Sequence, residues 1–239
     1  MGHPEAFDNS LRVGLEKSRQ REHVFEGEIK VRKTVIVAAF MLTIPSIAHA
    51  ESIEKQFKRY MALTPQHFVE TTTVIDDQME TTAVITTQNG FQIKQGLLKR
   101  VNDDGFFRAF IDKKTGKTRY QLYYTLTYVG EWVYFEQVNY EGVSELQSKP
   151  LDVVSREVGA CSQILGCFKN ETVAFDVEEE TLRRVAAGYD PSGKGTSGWL
   201  YRLKAKNGVN RDEGMSPAEA AGILSAVDSY KTKLGLALQ

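Results

Sequence analysis

The stretch YQLYYTLTYVGEWVYFEQVNY, residues 120–140, consists of two runs of β-forming residues separated by Gly130-Glu131. Tyrosine, tryptophan, valine and threonine are enriched in strands, and a glycine between two such runs is typical of a hairpin turn. The stretch therefore predicts two long antiparallel strands joined by a two-residue turn at Gly130-Glu131.

Side chains alternate between the two faces of a strand, so this turn would divide the hairpin into two surfaces. We assign the less polar surface to the core: Tyr124, Leu126, Tyr128, Val133 and Phe135. The other surface carries aromatic rings beside polar groups, as recognition surfaces do. It is the predicted binding surface, formed by Tyr123, Trp132, Tyr134 and Glu136.

The segments around the hairpin repeat the same strand and turn signals. Strands are predicted in FVETTTVI, ETTAVITT, FFRAFID, LDVVSREV, ETVAFDV and GWLYRLKAK, and a tight turn in KKTGK. Helices are predicted near residues 52–63 and in EEETLRRVAAG and SPAEAAGILSAVDSYKTKL. In the last of these, Ser216 fits an N-cap, Pro217 the first helical position, and Glu219 the end of a capping box.

This order of elements predicts one α+β domain over residues 51–239. Its mainly antiparallel β-sheet would be a meander of hairpins, with an N-terminal helix and a C-terminal helix-strand-helix segment.

The run VRKTVIVAAFMLTIPSIAHA, residues 31–50, has the three parts of a secretory signal. Basic residues precede an apolar run, and Ala48 and Ala50 occupy the small-residue positions of a cleavage site. We expect cleavage before Glu51 and export to the periplasm or the exterior of a bacterial cell. Residues 1–30 mix charges without apolar periodicity, and we interpret them as a mis-annotated or disordered extension.

The chain has two cysteines, Cys161 and Cys167, in the segment CSQILGC. In an oxidising compartment such a close pair predicts a disulfide. A zinc site needs more ligands than this pair offers, and redox-active pairs are usually spaced as C-x-x-C. We predict neither a metal nor a cofactor.

The sequence offers little for catalysis. Of four histidines only His67 follows the cleavage site, and no G-x-S-x-G motif is present. GYDPSGKG resembles a phosphate-binding loop but lacks the serine or threonine after its lysine, and a predicted helix precedes it where that motif needs a strand. Glu131 and Glu136, beside the aromatic hairpin, remain candidates for a pair of catalytic carboxylates.

The formal net charge is −1 for the whole chain, which argues against a nucleic-acid partner. Arg202, Lys204 and Lys206 alternate on one strand and are interpreted as a solvated outer face.

We predict a non-catalytic binding protein that does not span the membrane after signal cleavage. Its partner would be an envelope protein, a toxin or a glycan. The alternative is a carboxylate-dependent hydrolase of an envelope polysaccharide.

Overall fold

The structure is a computed structural model that describes residues 53–92, 94–95, 100–101, 103–163, 166–192 and 197–237. All of them belong to one compact unit, Ala48–Gln239. The helices are α1 (Ile53–Met61), α2 (Pro65–Thr71), α3 (Glu179–Ala187) and α4 (Pro217–Lys233). The strands are β1 (Thr73–Ile75), β2 (Thr82–Thr86), β3 (Lys94–Gln95), β4 (Arg100–Val101), β5 (Asp104–Asp112), β6 (Thr118–Val129), β7 (Phe135–Glu141), β8 (Leu146–Pro150), β9 (Asp152–Ser162), β10 (Gly166–Val177), β11 (Trp199–Ala205) and β12 (Asn210–Met215).

Two antiparallel sheets account for most of these strands, which confirms the predicted α+β class. The larger sheet has the order β1-β2-β5-β6-β10-β9, and the smaller has the order β12-β11-β7-β8. The β5–β6 hairpin turns at KKTGK as predicted, with Gly116 at a φ of 73° that glycine adopts without strain. β3 and β4 form a separate two-stranded pair.

The predicted β6–β7 hairpin is wrong. β6 pairs with β5 and β10 in the larger sheet, whereas β7 pairs with β8 and β11 in the smaller one. The chain therefore leaves one sheet after Val129 and enters the other at Phe135. Leu126 and Phe135 are not neighbours on paired strands, although both are about 1% exposed in the same core.

The main core lies between the two sheets. The ring of Tyr124 on β6 meets Tyr201 on β11 at a centroid distance of 6.0 Å, and Tyr140 on β7 stacks on Phe175 on β10 at 5.4 Å. Helix α4 adds Ile223 and other apolar residues and contacts β2 and β5. The core assignment of Tyr124, Leu126 and Phe135 is thus confirmed.

Local sequence signals define the helix ends. Ser216 accepts the Ala218 N–H at the start of α4, as predicted. The segment FVETTTVI was expected to be a strand, but Phe68 to Thr71 belong to α2, because Thr64 caps that helix and Pro65 opens it. Phe68 packs against Gly222 of α4, where a Cβ would lie 2.4 Å from the Phe68 Cβ.

The predicted signal segment, including Ala48 and Ala50, and the extension over residues 1–30 lie outside the described residues. None of the helices in the described ranges has both the length and the apolarity needed for a membrane span.

Candidate functional site

The link between the two sheets is the candidate site, and its backbone is unusual. Gly130 has a φ of 114°, and Tyr134 has a φ of 58°. Tyr134 is the only residue other than glycine with a positive φ in the part of the chain that the structure describes. This left-handed conformation is strained for a residue with a large side chain, and such strain concentrates at functional sites.

Two aromatic rings of this link each face a cation. The Arg156 guanidinium carbon lies 4.8 Å from the centroid of the Tyr134 ring, and the Lys169 ammonium lies 5.1 Å from that of Trp132. The two rings lie 6.3 Å apart, and the Tyr134 residue is 43% exposed. We call the group Trp132, Tyr134, Arg156 and Lys169 the rim platform.

A buried carboxylate holds the rim platform from below. Glu171 on β10 is 0% exposed, and its Oε1 accepts from Arg156 Nε at 2.9 Å and from the Phe135 N–H at 3.1 Å. Its Oε2 accepts from the Tyr128 hydroxyl at 2.8 Å, and that hydroxyl accepts the Val133 N–H. Burial raises the pKa of Tyr128 to about 12, so its hydroxyl remains a donor.

The four residues predicted as one binding surface do not lie together. Trp132 and Tyr134 belong to the rim platform. Tyr123 lies on the opposite face of the larger sheet, 8% exposed, stacked on Phe106 at 5.5 Å and covered by Arg108 at 4.4 Å. Glu136 is exposed at a break in the β7–β11 register. The sequence missed Arg156, Lys169 and Glu171, since only the β9–β10–β6 pairing brings them to this link.

The two proposed catalytic carboxylates, Glu131 and Glu136, lie at the surface. The Glu131 side chain is 104% exposed, 4.0 Å from Lys169, and Glu136 is also exposed. Glu171 is the buried carboxylate of this region, and donors occupy both of its oxygens. Within the described ranges, no group of three or more His, Cys, Asp or Glu side chains is placed to hold a metal ion.

Cys161 and Cys167 face each other across the β9–β10 hairpin, with their sulfur atoms 2.01 Å apart. The predicted pair thus lies at disulfide distance.

The GYDPSGKG loop lies partly outside the described residues. His67 bonds the Gly90 carbonyl through Nε2 at 2.7 Å, and Arg202 pairs with Asp212 on the neighbouring strand.

Glu219 is a second buried carboxylate, and the sequence analysis, which assigned it to a capping box, did not predict its burial. The predicted capping box would place it on the Ser216 N–H, but Tyr60 of α1 lies between them. The Tyr60 hydroxyl accepts the Ser216 N–H at 2.9 Å and donates to Glu219 Oε2 at 2.7 Å. The Thr87 hydroxyl donates to the other oxygen at 2.5 Å. Glu219 is 2% exposed, so this network ties the N-terminal helix to the core.

Glu219 predicts a pH-dependent stability. Burial raises its pKa from 4.5 to about 8, so the native state holds a proton that the unfolded chain releases. The free energy of unfolding should therefore fall as the pH rises from 4.5 to about 8, by at most about 1.4 kcal/mol per pH unit. Glutamine does not ionise, so Glu219→Gln should flatten the dependence of the free energy of unfolding on pH. Urea denaturation at several pH values measures this slope.

Asp104, whose pKa burial raises to about 7, should contribute a remaining slope in that variant. Glu131→Gln serves as the exposed control and should keep the wild-type profile. An unchanged profile in Glu219→Gln would contradict the assignment of the slope to this carboxyl group.

Comparisons with known proteins add no family or relative: no protein-family model matches the chain, and neither the curated proteins nor the solved structures give a match. The functional argument therefore depends on the geometry of the rim platform.

Proposed function

We propose that this protein is an exported, non-catalytic binding protein that holds an envelope protein or a secreted toxin on the rim platform. Residues 31–50 support export through their signal pattern, and the cysteine pair at disulfide distance fits an oxidising compartment. N-terminal sequencing of periplasmic or secreted material should read ESIEKQ. Recovery of only the full-length chain, from the cytosol, would contradict export.

The observation that carries the binding proposal is the strained, exposed Tyr134 above an anchored arginine. Its backbone is held at a φ of 58° while its ring lies over Arg156, which in turn is fixed by the buried Glu171. Holding side chains in place before binding reduces the entropy lost on association. The strained residue is not part of the core, because 43% of its surface remains exposed.

The residue types favour a protein partner. Tryptophan, tyrosine and arginine dominate the binding energy of protein interfaces, and the rim platform combines all three. A glycan partner remains the second choice for this surface, since exposed rings also stack on sugars. The candidate carboxylates of the hydrolase alternative, Glu131 and Glu136, are both exposed. We expect no turnover in hydrolysis assays on envelope polysaccharides.

Tyr134→Gly separates binding from folding. Glycine adopts a positive φ without strain. The stability gained by relieving the backbone strain should roughly offset the stability lost with the ring contact to Arg156. We expect the free energy of unfolding to change by less than about 1 kcal/mol. Combined with Trp132→Ala, the change should weaken partner capture from envelope extracts at least tenfold, since hot-spot residues each contribute about 2 kcal/mol or more.

The matched control is Phe57→Ala, which removes a ring that is 38% exposed on α1. This variant should capture the same partners as the wild-type protein in pull-downs read by mass spectrometry. Equal capture by the Trp132/Tyr134 double variant and the wild type would remove the basis of the proposal.

A further inference from the structure

A groove of about 470 Å³ crosses the other face of the larger sheet, where β2, β5 and β6 lie side by side. Arg119, near the start of β6, lines this groove. Tyr128, whose hydroxyl supports the rim platform, lies near the other end of β6. At about 3.3 Å per residue, the two places lie about 30 Å apart along the strand. The groove is therefore a separate site.

The floor of the groove is apolar. Val84 on β2 and Phe110 on β5 are paired in register, and both are half-buried. The Arg119 guanidinium carbon lies 4.7 Å from the centroid of the Phe110 ring, and its Nη1 bonds Asp176 at 3.1 Å. Thr82 adds a hydroxyl beside this floor. An aromatic ring and an arginine thus form one fixed surface.

Charged side chains of both signs surround the floor. Two carboxylates, Glu80 and Asp112, and two cations, Lys117 and Arg119, line the groove. Asp112 accepts from the turn residue Thr115, and Arg119 pairs with Asp176. Among the described residues, Glu80 and Lys117 form no ion pair. Hydrogen-bond acceptors and donors therefore remain available around an apolar floor.

We propose that this groove binds a neutral oligosaccharide. The apolar C–H face of a sugar packs on the Phe110 and Val84 floor, while its hydroxyl groups donate to Glu80 and accept from Lys117. Glu80 and Lys117 carry opposite charges, so the lining does not favour a ligand of either sign. The volume of about 470 Å³ lies within the range of small-ligand sites, about 300–1,000 Å³.

The test is a titration of the ¹⁵N-labelled protein over residues 51–239 with neutral oligomers of glucose and of N-acetylglucosamine. Oligomers of glucuronic acid and of glucosamine provide the anionic and cationic comparisons. We expect a neutral oligomer to shift the amide signals of Thr82, Val84 and Phe110, and to bind at least tenfold more tightly than either charged oligomer.

Phe110→Ala should weaken this binding at least tenfold. Phe168→Ala, which removes a half-buried ring at the far end of the same sheet face, should leave it unchanged. Because Phe110→Ala also removes packing, Glu80→Ala provides a second, exposed variant, with an expected loss of about threefold or more. The proposal fails if no neutral oligomer binds, if a charged oligomer binds more tightly, or if Glu80→Ala and Phe110→Ala both bind as the wild type does.

Discussion

Glu171→Ala is expected to lower the free energy of unfolding by about 3–5 kcal/mol, because it removes the buried member of a partly exposed ion pair and leaves buried donors without their acceptor. Glu171 is 0% exposed, whereas its partner Arg156 retains 31% exposure of its side chain. The variant also removes the acceptor of the Tyr128 hydroxyl and of the Phe135 N–H. Urea denaturation followed by circular dichroism measures the loss.

Glu171→Gln tests how much of this effect comes from charge. The carbonyl oxygen of the glutamine amide can still accept hydrogen bonds at one of the two oxygen positions. We therefore expect a smaller decrease in the free energy of unfolding, about 1–3 kcal/mol. Glu136→Ala is the matched control, because this glutamate is exposed on β7 of the smaller sheet, and it should change stability by less than about 0.5 kcal/mol. A loss below about 1 kcal/mol in Glu171→Ala would show that the carboxylate does not anchor the link.

Both Glu171 variants should also weaken partner capture. Without the carboxylate, Arg156 is no longer held against the Tyr134 ring, so the rim platform loses its fixed geometry. Capture should be measured without urea, at a temperature where each variant is fully folded. A loss of binding then cannot come from a loss of folded protein.

Phe135→Ala is expected to cost about 3–5 kcal/mol, the usual range for a large aromatic removed from a core. Phe135 is 1% exposed and is the first residue of β7 after the chain has crossed between the sheets. Its ring belongs to the core cluster shared by both sheets. The cavity would therefore open where the two sheets meet.

Trp132→Ala provides the comparison from the same link. Its ring is half-buried and contacts Tyr128, Tyr134 and Lys169, so we expect a loss well below that of Phe135→Ala. Thermal melting of both variants separates them. If Trp132→Ala unfolds the protein as severely as Phe135→Ala, Trp132 is a core residue and the binding role assigned to its ring is wrong.

Much of the local structure could be predicted from the sequence. The strand patterns of residues 120–129 and 171–177, the KKTGK turn and the Ser216 cap are all set by residues within a few positions of one another. The alternation along β11 likewise predicted that Trp199, Tyr201 and Leu203 would be buried, as they are in the structure. These features follow from side-chain periodicity and from the backbone preferences of glycine and proline, which act locally.

The candidate site could be predicted only in part. Trp132 and Tyr134 stood out as aromatic residues on a polar face, but Tyr123, placed with them, is on the other side of the sheet. The cations of the rim platform and the carboxylate below it come from β9 and β10, well beyond β6 in the chain. No spacing rule connects Glu171 with Tyr128, because strand pairing at long range determines their contact.

The sequence by itself determined that strands would lie on both sides of Gly130-Glu131, with Phe135 and Leu126 directed toward a core. It did not determine which strands would pair. Alternation is the same in a hairpin and in two strands of different sheets, and Gly130 permits either path. The tertiary structure decided this, because the packing of the two sheets buries aromatic rings between them, such as Tyr124 against Tyr201 and Tyr140 against Phe175.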